Sequence, residues 1–248
     1  MEWTDRGIVL GTRRHGESGL IVEALTYAHG RHLGLVRGGR SSRHRATFQP
    51  GNSLQLTWRA RLEDHLGVYS GDMSVARAAA VIESRTRLYG LGLAVALARL
   101  PAEREPAPQL ASQLETLLDL IAEDGVWLPE LVRFELAILG DLGFGLDLTE
   151  CALTGVAEDL AWVSPKTGRA ACRKAGAPYR DRLLVLPEFL QARPDHKDPA
   201  GGETVSDADI LAGLRLTGHF LDTNVYGPRT IAPSETRAGL VRDLQRKK

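Results

Sequence analysis

Several patterns that would identify a secreted or a membrane protein are absent from this sequence. Its two cysteines, Cys151 and Cys172, are too few for a disulfide framework, and acidic residues stand near the N-terminus where a secretory signal would be cationic. No uncharged apolar run approaches the roughly 18 residues that a membrane-spanning helix needs. The longest apolar segment is 88–98. We therefore expect a cytoplasmic protein that does not enter a membrane.

Sequence signatures of catalysis are also missing. There is no phosphate-binding P-loop, no dinucleotide-binding glycine motif and no nucleophile elbow, since the segment 16–19 (GESG) lacks the spacing of the last. The seven histidines are scattered, and neither His29 nor His32 has an acidic companion at a spacing typical of a metal or general-base site. These absences predict a protein that is not an enzyme. An enzyme whose site is assembled from distant residues remains the alternative.

Acidic residues are missing between Glu23 and Glu63, and this gap shows how unevenly charge is distributed. Residues 1–61 contain ten arginines and four acidic residues, whereas residues 103–159 contain thirteen acidic and two basic residues. The formal net charge of zero therefore hides a bipolar chain. A basic N-terminal block favours an anionic partner.

The first seventy residues predict five short strands and no helix. In the segment 54–61, Leu54, Leu56 and Trp58 alternate with polar residues, so we predict that Trp58 lies in a core and is not a base-stacking platform. This pattern predicts a five-stranded barrel of the oligonucleotide-binding (OB) type over residues 1–73, although periodicity leaves an SH3-like barrel open. The predicted strands cover 7–12, 20–26, 32–36, 54–61 and 66–69.

An arginine-rich loop joins the third and fourth predicted strands. Gly38 and Gly39 free its backbone, and the planar guanidinium suits phosphate oxygens bidentately. A solvated loop is the alternative interpretation, and His44 and Phe48 are candidate base-stacking residues. The DNA-binding candidates in the barrel are Arg13, Arg14, Arg37, Arg40, Arg43, Arg45, Arg59 and Arg61.

From residue 74 the pattern becomes helical, which predicts an α-helical domain over 74–248. Ser74 is predicted to cap a helix over 75–84, further helices follow at 86–100, 108–123 and from Pro129, and Ser206 with Asp209 forms a capping box. Residues 193–204 are predicted to form a loop. Five acidic residues are predicted to lie on exposed helix faces and to form a solvating surface, with a docking face as the alternative: Glu115, Asp119, Glu123, Glu130 and Glu135.

Residues 147–187 interrupt the helical pattern with a predicted hairpin. Two turns flank the hairpin, one opened by Cys151 and one by Cys172, and each has a single sulfur where a zinc knuckle has two. We therefore predict a zinc-ribbon-like insertion that binds no zinc, within a chain that needs no cofactor. The basic residues of the hairpin extend the set of DNA-binding candidates by Lys166, Arg169, Arg173 and Lys174.

These features together resemble the RecO family of bacterial recombination mediators. The likeness covers nearly the whole chain and rests on segments in the right order: GIVLGTRRHGESGLIVEALTYAHGRHLGLVRGGR, QPGN, RFELAILGDLGFGLDL, LAWVSPKTGRAAC after Cys151, and GLRLTGHFL. It implies an OB domain, a helical domain and a ribbon-like insertion. Some members keep four cysteines and bind zinc, and this chain departs from them at Thr154 and Ala175.

The resemblance implies a role in DNA repair and recombination without catalysis. RecO-like proteins bind single-stranded and duplex DNA, anneal complementary strands, work with RecR, and help to load the recombinase RecA onto DNA coated with single-stranded-DNA-binding protein (SSB). Their location would be the nucleoid. Arg133 and Arg215 are candidates for binding the acidic C-terminal tail of SSB. An OB-fold RNA-binding or translation-associated module is the alternative, which competition between DNA and RNA of one sequence would distinguish.

Overall fold

The computed structural model describes residues 1–191, 205–230 and 235–246, and the chain forms two compact units, Met1–Trp127 and Leu128–Lys248. The predicted loop at 193–204 lies outside the described residues. In the described part of the chain, no helix combines the length and the hydropathy that crossing a membrane requires.

A closed five-stranded barrel occupies the first part of the N-terminal unit. Its strands are connected in the spatial order β1-β2-β3-β5-β4, with β4 pairing back onto β1. The pairs are antiparallel except for β3 with β5. This arrangement confirms the predicted OB fold. The strands are β1 (Glu2–His15), β2 (Gly19–Thr26), β3 (Gly30–Val36), β4 (Ser53–Arg59) and β5 (Val68–Val75).

A cluster of aromatic side chains fills part of the barrel core. Trp58 is 1% exposed, which confirms its predicted core position, and Trp3 stacks on it at a centroid distance of 5.7 Å. Gly34 allows Tyr69 to enter the same cluster, because a Cβ on Gly34 would lie 2.3 Å from the Tyr69 ring. His32 completes the cluster with edge-on contacts to Trp58 and Tyr69.

Burial of His32 makes the stability of the barrel depend on pH. Desolvation lowers the pKa of His32 from 6.5 to about 4, although its hydrogen bond to the Leu33 carbonyl favours the protonated ring. Between pH 4 and pH 6.5 the unfolded chain therefore binds more protons than the folded chain. The contribution of neutral His32 to the free energy of unfolding is complete above pH 6.5 and is lost as the pH falls towards 4. We expect a loss of about 3 kcal/mol of unfolding free energy across this window.

Urea unfolding of the full chain at pH 7.0 and at pH 4.5 measures this effect. Other groups titrate in the same range, so the comparison is made with His32→Gln, which cannot take up the proton. The variant should lose less stability than the wild type between the two pH values. An equal loss in both proteins would contradict a buried neutral His32.

The barrel does not form a compact unit alone. Helices α2 (Arg85–Leu97) and α3 (Pro108–Ala122) pack against each other, and each also contacts β1. The predicted OB domain ended at residue 73. The strands end at Val75, and the compact unit that contains them continues to Trp127 because these two helices belong to it.

The predicted helix over 75–84 is wrong. Ser53 pairs with Val75 in the barrel, and only a single 3₁₀ turn follows, at Ala78–Val81. Asn52 redirects the chain, because its side-chain oxygen accepts hydrogen bonds from the backbone N–H groups of Arg77 and Ala78. These side-chain contacts from a residue 25 positions earlier override the local helical pattern.

The acidic face predicted for α3 is partly engaged inside the unit. Glu115 accepts hydrogen bonds from Arg6, at 2.8 Å, and from the hydroxyl of Tyr27. Asp119 accepts one from Arg77, whose guanidinium is 2% exposed and also donates to Ser53 at 2.7 Å. These carboxylates therefore hold α3 against the barrel. The interpretation as a solvating surface is wrong for Glu115, whose side chain is 19% exposed, whereas Asp119 remains 45% exposed beside its ion pair.

The C-terminal unit is helical around a small sheet. A capping box begins helix α6 (Asp207–Phe220) as predicted, since Ser206 accepts from the backbone of Asp209 and donates to its carboxylate. Helix α4 (Leu128–Asp141) packs on α6, and α6 packs on α8 (Glu235–Arg246). Among the described residues, the remaining α-helices are α1 (Ser42–Thr47), which belongs to the barrel, α5 (Arg173–Gly176) and α7 (Gly227–Arg229). A π-helical segment, Leu221–Tyr226, continues α6.

Glu135 is the central polar group of this unit and not an exposed residue. Its carboxylate is fully buried and accepts hydrogen bonds from Arg237, at 2.7 and 3.2 Å, and from the hydroxyl of Thr217. These contacts join α4, α6 and α8. The predicted exposure of Glu135 is therefore wrong, because its partner lies 102 residues later and its helical position gives no sign of the pairing.

The insertion contains a three-stranded antiparallel sheet in the order β7-β6-β8. The predicted hairpin is confirmed as β6 (Leu160–Val163) and β7 (Ala170–Cys172), and β8 (Leu184–Val185) adds the third strand. The kinship of this insertion with zinc ribbons stays a prediction.

Candidate nucleic-acid interface

Three barrel strands bring basic residues together at one end. In the strand register Arg14 lies opposite Leu20, and Leu20 lies opposite Val36. Arg14 therefore lies near the end of β3, and Arg37 follows β3 at that end. Arg13 projects from the face of β1 opposite to Arg14, because successive side chains of a strand alternate between its two faces. All three side chains are exposed and have no hydrogen-bond or ion-pair partner among the described residues.

The arginine-rich segment folds onto this end as a short helix. Ser41 caps α1 by accepting from the backbone of His44, and the Asn52 amide donates to the carbonyls of Ala46 and Thr47. The segment predicted as a loop is thus partly helical and anchored at both ends. Arg43 and Arg45 project from it, exposed and without a side-chain partner within the described ranges.

A cleft of about 390 Å³ lies between this helix and the β1–β2 hairpin. The residues that line it are Arg14, Arg40 and Arg45 together with Thr12, Leu20, Phe48, Gln49 and Pro50. The Arg40 guanidinium donates to the backbone carbonyl of Glu17, which holds it at the rim without neutralising its charge. We call Arg13, Arg14, Arg37, Arg40, Arg43 and Arg45, together with this cleft, the basic end of the barrel.

Arg59 and Arg61 lie elsewhere on the barrel. Arg59 pairs with Glu2 in the β1–β4 register and forms a salt bridge with it at 2.7 Å. Ten residues of β1 stand between Glu2 and Arg13, which corresponds to roughly 35 Å along an extended strand. The structure therefore does not bring Arg59 and Arg61 together with the basic end.

The two candidate stacking residues, His44 and Phe48, differ in exposure. Phe48 is 2% exposed and packs in the barrel core, so the prediction that it stacks on a base is wrong. His44 is half-buried against Phe48, at a centroid distance of 5.9 Å, with its Nδ1 3.0 Å from the Gly38 carbonyl.

The four basic candidates of the insertion are divided between paired and unpaired residues. Arg169 contacts Asp147 at 3.3 Å and Glu150 at 3.7 Å, and Arg173 contacts Asp159 at 3.1 Å. Lys166 and Lys174 are exposed, and neither has a side-chain partner in the part of the chain that the structure describes. Two of the four predicted cations are thus partly neutralised.

The two candidates for binding the SSB tail also differ. Arg133 forms an ion pair with Glu130, donates to the carbonyl of Phe189 at 3.0 Å and stacks over its ring. Arg215 on α6 is exposed and has no partner among residues 1–191, 205–230 and 235–246.

The two cysteines lie beside the hairpin as buried free thiols. The Thr154 hydroxyl is 3.8 Å from Sγ of Cys172, at the position where a knuckle would have its second sulfur. In the described ranges, no group of three or more histidine, cysteine, aspartate or glutamate side chains is placed to hold a metal. Two thiols do not fit the four-ligand set of a structural zinc site.

Sequence reasoning missed Gln49 and the cleft that it lines. Gln49 stands in a turn beside Pro50, and nothing in its local pattern distinguishes it from a solvated loop residue. No local sequence signal could have identified the cleft, since it forms only when α1 packs against the β1–β2 hairpin in the folded protein.

Comparison with known proteins covers both units. The chain matches the family models "Recombination protein O N terminal" over residues 1–74 and "Recombination protein O C terminal" over residues 82–230. It is 50% identical to the DNA repair protein RecO of Afipia carboxidovorans, over 99% of this chain and 97% of the relative. For the proteins of the same name from Chelativorans sp. and Methylobacterium nodulans the identities are 51% (99% and 96% covered) and 48% (96% and 95% covered). With an OB barrel followed by a helical unit, this chain belongs to the RecO family of DNA repair proteins.

Proposed function

We propose that this protein is a non-catalytic recombination mediator that binds single-stranded DNA and anneals complementary strands. It would also bind duplex DNA and help to load RecA onto SSB-coated DNA. The basic end of the barrel is the observation that carries this proposal. Five exposed arginines without partners within the described residues converge there: Arg13, Arg14, Arg37, Arg43 and Arg45.

Phosphate binding follows from this charge. Each arginine that contacts a phosphate releases counterions from the strand, so binding is tolerant of sequence and weakens as salt increases. Annealing follows when the charge of two strands is neutralised while their bases remain free to pair. Lys166 and Lys174 of the insertion are further contacts under this proposal, and the paired Arg169 and Arg173 are weaker ones.

For the SSB tail we propose Arg215 as the cation that meets the acidic C-terminus. Its guanidinium is exposed on α6, whereas the Arg133 guanidinium is already engaged by Glu130 and by the carbonyl of Phe189. RecR would act together with this protein, and RecA would be an indirect partner. We place the protein in the cytoplasm, on the nucleoid.

We also propose that the insertion folds without zinc and that the protein uses no cofactor. Thr154 and Ala175 stand where a zinc ribbon would supply its remaining two sulfurs, and neither side chain replaces a thiolate. One equivalent of zinc in elemental analysis of the purified chain would contradict this.

Strand annealing tests the proposal. Complementary labelled oligonucleotides, each coated with SSB, are mixed with and without the protein over a series of salt concentrations. We expect acceleration that decreases as salt increases and that requires the C-terminal tail of SSB. Binding of single-stranded DNA without any acceleration would leave a basic OB module with another partner.

A further inference from the structure

The cleft at the basic end has a shape that phosphate binding does not explain. Its volume of about 390 Å³ lies within the roughly 300 to 1,000 Å³ that is typical of small-molecule sites. A phosphate backbone tracks along a surface and is held by a row of cations. The concavity beside Arg14, Arg40 and Arg45 is therefore available to another part of the bound molecule.

The lining of the cleft matches a nucleobase. Leu20 and Pro50 contribute apolar surface, against which the flat face of a base can pack. Gln49 is exposed, and its side-chain amide has no hydrogen-bond partner in the described part of the chain. An amide offers both a donor and an acceptor, and every base carries complementary groups along its edge.

We propose that this cleft holds one unstacked nucleobase of the bound strand, with Gln49 hydrogen-bonded to the base edge. Arg14, Arg40 and Arg45 at the rim hold the phosphates on either side of that nucleotide. The inference rests on the proposed binding of single-stranded DNA and adds to it the group that the cleft recognises.

This arrangement distinguishes a single strand from a duplex. Bases in a duplex are paired and stacked, and removing one from the stack costs free energy. A single strand presents its bases without that cost. The cleft therefore favours single strands, whereas the surrounding arginines act on phosphates in either form.

Three DNA probes of equal length separate the two contributions. They are a mixed-sequence single strand, a single strand in which every base is replaced by an abasic tetrahydrofuran unit, and a blunt duplex. Wild-type protein is titrated with each probe at one salt concentration, and fluorescence anisotropy reports the affinity. The same titrations are made with Gln49→Ala and with the control Gln55→Ala, an exposed glutamine on β4.

We expect the wild type to bind the normal single strand at least about fivefold more tightly than the abasic strand, because the abasic strand loses the hydrogen bond to Gln49 and the apolar contacts of the base. Gln49→Ala should weaken binding of the normal strand about threefold to tenfold, the usual range for one hydrogen bond. The variant should bind the abasic strand and the duplex like the wild type, and Gln55→Ala should bind all three probes like the wild type.

Two outcomes would overturn the inference while leaving DNA binding intact. One is equal wild-type affinity for the normal and abasic strands, and the other is a Gln49→Ala variant that changes either all three affinities or none. Failure of the wild type to bind any probe would instead contradict the proposed function itself.

Discussion

Replacing Arg43 and Arg45 with alanine is expected to weaken the binding of single-stranded DNA about 25-fold at 0.1 M salt. Each lost phosphate contact removes a factor of roughly five at this salt concentration, because log K for a single strand changes by about −0.7 per contact for each unit of log salt. The slope of log K against log salt should accordingly become shallower by about 1.4. Both arginines are exposed on α1, where alanine favours the helix, so the fold should be retained.

The matched control is the pair Arg59→Ala and Arg61→Ala. It removes the same charge from the same barrel, but these two residues lie near the other end of β1, and Arg59 is already paired with Glu2. We expect a loss of less than about threefold, because contacts that are not made release no counterions. Equal losses in the two double variants would place the DNA on both ends of the barrel and contradict the assignment of the basic end.

Replacing Glu135 with alanine should lower the free energy of unfolding by about 3 to 5 kcal/mol, because it leaves the guanidinium of Arg237 buried without its counter-ion. The Arg237 side chain is 16% exposed and the Glu135 side chain is fully buried, so solvent cannot replace the lost carboxylate. Urea unfolding followed by far-ultraviolet circular dichroism measures the change. Glu130→Ala on the same helix is the control, and its partly exposed pair with Arg133 should contribute less than about 1 kcal/mol.

A second variant shows whether the loss comes from the unpaired charge. Glu135→Leu combined with Arg237→Met removes both charges and keeps apolar volume in the core. We expect the double variant to regain most of the lost stability, because replacing a buried ion pair by apolar groups is often neutral. A double variant as unstable as Glu135→Ala would mean that packing around α4, and not charge, determines the loss.

The barrel was predictable because its signals are local. Alternation of Leu54, Leu56 and Trp58 with polar residues follows from the two-residue period of a strand, and the structure buries all three. Turn residues mark where each strand ends. The prediction of a helix at 75–84 was wrong because the side chain of Asn52, distant in sequence, accepts hydrogen bonds from the backbone N–H groups of Arg77 and Ala78.

The sequence did not show which charged side chains lack an ion-pair partner, because the partners are brought together only by the tertiary fold. Arg59 and Arg43 look alike in the sequence, yet the strand register places Glu2 opposite the first, while the second has no partner among the described residues. Glu115 and Glu135 occupy helical positions typical of exposed residues, and both are held by arginines distant in sequence. Identifying the free cations therefore required the fold, although the basic segment itself was visible from composition.

The most direct measurement of the central claim is the annealing rate of SSB-coated strands with the two double arginine variants, at one salt concentration. If the basic end of the barrel carries the DNA, the Arg43 and Arg45 variant should lose most of the acceleration. The Arg59 and Arg61 variant should keep it. Full acceleration by the Arg43 and Arg45 variant would contradict the account.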